Sequence, residues 1–524
     1  MTRQRLPIGI QSFKRLRETN SYYVDKTALI HDLVERGDHW FLSRPRRFGK
    51  SLLLDTIGAL FAGQETLFRG LDIHEHWDWS VTHPVVRLSF DRTYDSPQEI
   101  ERNLNTQLDL IEHAAELQAI CSAGAAPDRF QSLLYHLRHK TGQEVVVLVD
   151  EYDKPILDAL KDPDQARANR EYLRGLYGII KGSAEHVRFV FVTGVSMFSK
   201  INLFSDLNNL EDISLAPHFA TICGYTDRDL DTVFVPEMEG LDRAAIRTWY
   251  NGYNWLGKER LYNPFDVLLF LRNRTFKPYW FRTGSPQFLF ETLQAKSINP
   301  RDLEGCFTDE SLIAKFDVND ISAEALLFQT GYLTITDEKQ EGHRTFYRLD
   351  YPNQEVKLSL NDALLSHLNP TKRVPSEEGG ILRNLLVAND FEAFAETLRA
   401  YLASIPYQWS SSGNLNHYEA WYAGLLHMGL RTIGVDVRSE ESSSRGRADM
   451  TVLTGGQVFI FEFKMVNTSD GTEIALKNAL AQIRKRGYTE KYKDRKEPIH
   501  LIAIACGRDI RNLLDIRAEP AALP

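Results

Sequence analysis

The chain has 524 residues, too many for one hydrophobic core, and domains of about 100–200 residues imply two to four units. Apolar residues make up 43% and charged residues 25%, the balance of an ordinary globular protein. A net charge of −9 excludes a global basic field that would draw the whole molecule onto nucleic acid, so any such binding uses local patches.

The four cysteines, Cys121, Cys223, Cys306 and Cys506, are scattered and form no CxxC pair. That speaks against a zinc site or a disulfide scaffold and fits a reducing compartment. The opening MTRQRLPIGI lacks the apolar core of a signal peptide. No apolar run approaches the ~18–20 residues of a membrane span. The expectation is a cytoplasmic protein with no membrane partner.

In chain order, HWFLSRP reads as a strand entering a loop. SLLLDTIGALF, with Leu52, Leu53, Ile57, Leu60 and Phe61, reads as an amphipathic helix. PVVRLSF, EVVVLVD and HVRFVFVTG are β-branched runs of strand length, separated by helical stretches such as Ile100 to Ala119. This is α/β patterning with a buried parallel sheet. From about Tyr225 to Pro370 the pattern turns helical and aromatic, with short strands (YLTIT, FYRLD), which predicts a helical or winged-helix-like lid. PTKRVPSEEGG reads as a linker. Tyr418 to Leu430 predicts another amphipathic helix. VDVRSE, RADMTVLTGGQVFIFEFK and PIHLIAIAC predict strands, with a helix from Glu473 to Arg486 before the last. The predicted division is 1–224, 225–370, 371–410 and 411–524.

Two segments carry phosphate chemistry. Arg44-Pro-Arg-Arg-Phe-Gly49-Lys50-Ser51 follows a strand and opens a helix, the context of a GxxxxGK[ST] P-loop. The backbone of Arg46, Arg47, Phe48, Gly49, Lys50 and Ser51 is the expected phosphate cradle. Lys50 is expected to reach the β- and γ-phosphates, and Ser51 to hold Mg²⁺. Arg44 stands where the first Gly belongs, and a basic loop capping a helix is the plainer alternative. Downstream, Glu144-Val-Val-Val-Leu-Val149 leads into Asp150-Glu151, an apolar strand ending in two acids. Asp150 is the candidate Mg²⁺ ligand, and Glu151 the candidate base that polarises water. Thr193, at the end of Arg188-Phe-Val-Phe-Val192, is a candidate γ-phosphate sensor.

YYVDKT (22–27), RPRRFGKS, VDEYDKPI (149–156), TGVSMFSK and FSDLNNLEDIS (204–214), in this order, resemble the AAA-ATPase-like family of bacterial proteins, whose members often carry a C-terminal PD-(D/E)XK nuclease domain. The resemblance spans nearly the whole chain. It implies a P-loop NTPase module that uses ATP, and in that family the Arg44-Pro-Arg-Arg form replaces the usual Gly-rich start. The family pattern has a basic residue where this chain has Met197; if that residue acts as a finger or sensor, hydrolysis here is slow or lost. YNGYNW (250–255) and LLFQTGYLT (326–334) are shared segments to which sequence assigns core packing and no chemistry.

The C-terminal candidate site is Asp449 in RGRADM, with Glu462 and Lys464 in FIFEFK. A PD-(D/E)XK nuclease needs two carboxylates on adjacent strands to hold Mg²⁺ and a nearby Lys at the hydrolytic water. Strand periodicity puts Glu462 and Lys464 on one face. Gly455-Gly456 is a favoured two-residue hairpin turn. Counting outward from it sets Asp449 opposite Glu462, Cβ atoms about 4.5–5.5 Å apart. The plain alternative is a chance strand pair in which Lys464 neutralises one acid. Glu419 resembles the acid that the superfamily places on its first core helix, as a further metal ligand; Gln482 and Tyr488 are weaker carry-overs. Arg445, Arg447, Arg484, Lys485 and Arg486 offer a local basic surface for phosphates.

The function expected from sequence is an ATP-binding, ATP-hydrolysing module coupled to a Mg²⁺-dependent nuclease-like domain acting on nucleic acid, DNA before RNA, with homo-oligomerisation through the ATPase domain. The alternative is a nucleotide-switched regulatory or scaffold protein whose nuclease fold binds without cleaving.

Overall fold

The computed structural model describes residues 3–117, 124–197, 209–281, 304–309, 313, 322–368, 375–404, 418–443, 446–467, 469–492 and 494–521. The chain forms two compact units, Met1–Phe288 with Gly305–Glu355, and Leu289–Glu304 with Val356–Pro524. Both are α/β, as the patterning predicts.

In the first unit the helix α1 (Phe13–Glu18) precedes β1 (His39–Ser43), which runs through a loop into α2 (Lys50–Phe61). There follow β2 (Val85–Ser89), α3 (Pro97–Ala114), α4 (Ala126–Thr141), β3 (Val145–Asp150), α5 (Pro163–Gly182), β4 (Val187–Gly194) and β5 (Glu211–Asp212). The strands form a parallel sheet in the order β2-β3-β4-β1-β5. Val145 to Val149 are wholly buried, so the continuous apolar run of β3 is what an interior parallel strand requires. This order sets β4 between β1 and β3. The loop after β1, Asp150 at the end of β3 and Thr193 near the end of β4 therefore share the C-terminal edge of the sheet, where ligand sites form in such folds.

The rest of this unit holds a small pair, β6 (Asn251–Tyr253) with β7 (Leu261–Tyr262), and then α6 (Pro264–Asn273). The Asn263 side chain caps α6 by accepting the Phe265 N–H at 2.9 Å, with Pro264 at the first helical position. β8 (Cys306–Asp309), α7 (Ala323–Thr330), β9 (Thr334–Glu341) and β10 (Arg344–Asp350) add a three-stranded antiparallel sheet, β8-β10-β9. A helix followed by a hairpin agrees with the winged-helix-like reading.

In the second unit, α8 (Pro375–Ala388), α9 (Phe391–Ala403) and α10 (Tyr418–Arg431) precede β11 (Asp436–Ser443), β12 (Gly446–Thr454) and β13 (Gln457–Val466); α11 (Thr472–Lys485), β14 (Ile499–Gly507) and β15 (Asn512–Pro520) follow. The sheet runs β11 to β15 in sequence order and is mixed, β13 and β14 being parallel and the other pairs antiparallel. Gly455 and Gly456 turn the β12–β13 hairpin with φ of 60° and 71°, the left-handed pair that a type I′ turn demands. Pairing runs from Thr454↔Gln457 to Met450↔Phe461, the register predicted from the turn. Leu476, Ala479, Leu480 and Ile483 of α11 pack on Val458, Ile460, Leu501 and Ala503.

Among the described residues no helix is long and apolar enough to cross a membrane. Cys223, Cys306 and Cys506 are free thiols.

Candidate functional site

The loop between β1 and α2 is held from both sides. Lys50 is buried, and its Nζ donates to the carbonyls of Arg44 at 2.7 Å and Pro45 at 3.1 Å. Gly49 takes a φ of 96°, a left-handed conformation suited to Gly, and no side chain caps the first N–H groups of α2. A helix start left open in this way attracts anions. Arg44 is fully buried. Its guanidinium donates to the carbonyls of Ser43 and Ser214 at 2.8 Å and of Ala220 at 3.4 Å, and lies 4.3 Å from the Trp255 ring centre. Burial lowers its pKa to about 10.

The outer side of the loop is covered by residues of the aromatic segments. The Phe48 ring meets Tyr253 and Trp255 edge-on, at 4.8 and 5.1 Å. The Arg46 carbonyl accepts from Trp280 Nε1 at 3.2 Å and Asn263 Nδ2 at 3.4 Å. A Cβ added at Gly331 would come within 2.7 Å of Pro45. YNGYNW and LLFQTGYLT therefore do pack, and what they pack against is the phosphate loop.

Arg46, Arg47, Phe48, Gly49, Lys50 and Ser51 all line one pocket of about 390 Å³, together with Glu151, Tyr23, Tyr225 and Phe265. Ser51, Asp150 and Glu151 line an adjoining pocket of about 430 Å³. Asp150 is 3% exposed and accepts from Thr193 Oγ1 at 3.1 Å and from Arg87 at 3.4 Å. Thr193 is fully buried and lines neither pocket; its hydroxyl serves Asp150. Glu151 sits at φ 51°, and burial raises its carboxyl pKa against the pull of Lys50. Burial lowers the Lys50 pKa, opposed by Asp150, Glu151 and Asp153. Asp153 is buried and accepts the N–H groups of Val195 at 3.0 Å and Ser196 at 2.6 Å, which fixes the segment after β4. Met197 is 5% exposed, and its N–H donates to Gln329 at 2.9 Å.

In the second unit the next step of the β12–β13 register beyond Met450↔Phe461 is Asp449 and Glu462. Asp449 Oδ2 accepts the Phe463 N–H at 2.8 Å. Lys464 Nζ donates to Glu462 Oε1 at 2.8 Å, and Gln482 Nε2 donates to the same oxygen. Glu419, on α10, accepts the Met465 N–H at 2.9 Å. Glu462 is 1% exposed, and its Oε2 has no hydrogen-bond partner. Burial, then the charge of Asp449, raise its pKa to about 7, with Lys464 opposing. Burial works against the Lys464 ammonium, yet Glu462, Glu419 and Asp449 hold its pKa above the ordinary lysine value.

An orphaned buried carboxylate oxygen beside a second carboxylate fits a hard divalent cation. Among the described residues no group of three or more His, Cys, Asp or Glu side chains gathers to hold a metal alone. Mg²⁺ suits such a place, since it binds through one or two carboxylates and keeps several waters. Tyr488 belongs to the core beneath α11. Arg484 pairs with Glu519, Arg447 is exposed, and Arg445 lies outside the described residues.

A family model described as "Predicted AAA-ATPase" matches residues 7–204, and one described as "PD-(D/E)XK nuclease superfamily" matches residues 417–515. The chain is 48% identical over 521 residues, 99% of each chain, to a protein of Azotobacter chroococcum mcd 1 described as an uncharacterized protein in the vnfD 5'region. The chain belongs to the AAA-ATPase-like family. It carries a PD-(D/E)XK nuclease superfamily domain at its C-terminal end. No solved structure matches it. In this AAA-ATPase-like chain the loop residues, Asp150 and Glu151 lie inside the first match, and Glu419, Asp449, Glu462 and Lys464 inside the second. Sequence reasoning passed over Arg87, Asp55 and Asp153. Arg87 is one charged residue within an apolar strand, a signal that reads equally well as a solvent-facing edge position.

Proposed function

We propose that this chain binds and hydrolyses ATP in its first unit, and that its PD-(D/E)XK domain is a Mg²⁺-dependent nuclease acting on nucleic acid, DNA before RNA. The functional modules are taken as 1–224 for the ATPase, 225–370 for a lid, 371–410 for a connection and 411–524 for the nuclease. The observation that carries the nuclease part is the orphaned Oε2 of buried Glu462, beside Asp449 and with Lys464 on the same strand face. At the nucleotide site, Lys50 and the open start of α2 would hold phosphates. Ser51 and Asp150 would hold the metal, and Glu151, its pKa raised, would take a proton from water. In the nuclease, Asp449 and Glu462, with Glu419 near, would hold Mg²⁺. The bound metal supplies Lewis-acid stabilisation of a phosphoryl oxygen. Lys464 would orient water and offset developing negative charge.

A second reading, a nucleotide-switched scaffold, is favoured by Met197, buried where the family pattern has a basic residue. The deciding experiment incubates the full chain with plasmid, linear DNA and RNA, with Mg²⁺, with and without ATP. Mg²⁺-dependent cleavage supports the nuclease; binding without cleavage under every condition supports the scaffold. Sedimentation with and without ATP tests assembly through the ATPase module.

A further inference from the structure

Arg87 is a charged residue in the middle of β2, opposite Leu148 of β3. Its guanidinium spans three groups. Nη1 donates to Asp55 Oδ1 at 2.8 Å, and Nη2 lies 3.4 Å from both the Ser51 carbonyl and Asp150 Oδ2. Asp55 is in turn fixed, since its Oδ2 accepts the Phe13 N–H at 2.6 Å. One edge of the guanidinium is thus anchored at good hydrogen-bond distance, while the other reaches two weak partners at the limit of bonding. Those weak partners are the two residues assigned to the metal, one through its backbone and one through its carboxylate.

The surroundings place this loosely held edge in a pocket that adjoins the phosphate-loop pocket. Arg87 lines the adjoining 430 Å³ pocket, which shares Gln11, Ser51, Asp91 and Glu151 with the phosphate-loop pocket. The side chain is about a third exposed there. That lining holds one cation, Arg87, against three acids, Asp91, Asp150 and Glu151. Lys50 approaches from the loop side. Met197, beyond the end of β4, brings no charge and is buried. A terminal phosphate needs positive charge beside it, and a planar guanidinium with one weakly held edge is suited to give it.

We propose that Arg87 reads the γ-phosphate. Without nucleotide its free edge rests on Asp150 and the Ser51 carbonyl. With a nucleoside triphosphate bound, that edge turns to a γ-phosphate oxygen and leaves Asp150 to the metal, while Asp55 keeps the other edge in place. A diphosphate gives the free edge no such partner. This inference rests on nucleotide binding in the first unit, and it assigns specificity for the triphosphate to a residue of the same chain.

The test measures binding of ADP and of a non-hydrolysable ATP analogue, with Mg²⁺, by calorimetry on the full chain. Wild type, Arg87→Gln and Arg87→Lys are compared. Arg87→Gln is expected to weaken the triphosphate analogue by about tenfold or more, the worth of one charge-assisted hydrogen bond, and to change ADP affinity by less than about threefold. Arg87→Lys should fall between. ADP affinity also reports whether the pocket has stayed folded, so a merely structural salt bridge would weaken both nucleotides together. Equal loss of both, or loss of neither, overturns the role of Arg87 and leaves the nucleotide site standing. Wild type that binds neither nucleotide overturns both.

Discussion

The Arg44 guanidinium lies 4.3 Å from the ring centre of Trp255, and both of its Nη atoms donate to backbone carbonyls. Arg44 is therefore a structural pin and not a damaged glycine. Arg44→Gly, which restores the general P-loop pattern, is expected to destabilise the first unit by about 2–5 kcal/mol, since it strips buried carbonyls of their donors and empties a large site. Thermal unfolding of the variant reads this directly; an unchanged melting temperature would remove the pin.

Lys50→Ala is expected to abolish ATP binding in calorimetry. The same change deletes two hydrogen bonds inside the loop, to Arg44 and Pro45, so circular dichroism should accompany the titration to show that the fold persists. Unaltered affinity in a folded variant would end the phosphate-cradle reading.

Glu151→Gln should leave ATP affinity within a few-fold and slow phosphate release by roughly 10²–10⁴, the usual loss for a general base. The raised carboxyl pKa of Glu151 adds a pH signature. Turnover in wild type should fall as the carboxyl is protonated on the acid side, at a pH above that of an ordinary glutamate. A variant as fast as wild type would assign the base elsewhere.

Glu462→Gln should remove the response of the second unit to Mg²⁺. In wild type, adding Mg²⁺ is expected to raise the unfolding temperature and EDTA to return it, because the metal satisfies a buried carboxylate oxygen. In the variant an amide N–H₂ replaces one carboxylate oxygen near Asp449, so metal-free stability should not fall. Lys464→Ala should eliminate cleavage while sparing ATP binding. Cleavage that survives, or a Mg²⁺ response that survives Glu462→Gln, would take the metal away from this hairpin.

Asp266 and Glu355 form a second pair of buried carboxyls, in the first unit, hydrogen-bonded to each other, with no other donor to Asp266 Oδ1 and Oδ2 or Glu355 Oε2. Burial raises both, Glu355 to about 7 and Asp266 well above its usual range. A carboxyl whose pKa is higher when folded binds more protons in the folded state. Stability is then greatest on the acid side and is lost as pH rises through the raised carboxyl range. Melting of the full chain from pH 5 to 8 should show this fall, and Glu355→Gln should flatten it. A variant with the wild-type slope would show that other groups set the dependence.

The hairpin was legible because a Gly-Gly turn fixes the count on both strands; nothing beyond that count was needed to set the pairs from Thr454↔Gln457 to Met450↔Phe461. Lys464 and Gln482 meeting on one oxygen of Glu462 was half legible. The Lys followed from strand period, whereas the Gln needed the packing of α11 on β13. Thr193 was placed at the right strand end, but its rotamer is set by Asp150, a neighbour two strands from β1, and strand-end position alone does not choose between a ligand and a carboxylate. The grip of Trp255 and Trp280 on the loop was hidden for a plain reason. Contacts between segments so distant in sequence leave no periodicity, and buried indoles look like core whatever they bury. Arg87 was unreadable for the same reason, its three partners lying on α2 and β3, far from it in sequence.

Gly331 caps α7 with φ of 90° and faces Pro45 with no room for a methyl group. The phosphate loop therefore has a second handle, outside the lining of the pocket. A side chain at position 331 would press on Pro45, whose carbonyl holds Lys50, and so could silence the pocket without altering one residue that lines it. Damage at a glycine cap remote in sequence would then look, in an assay, like damage to the lysine itself.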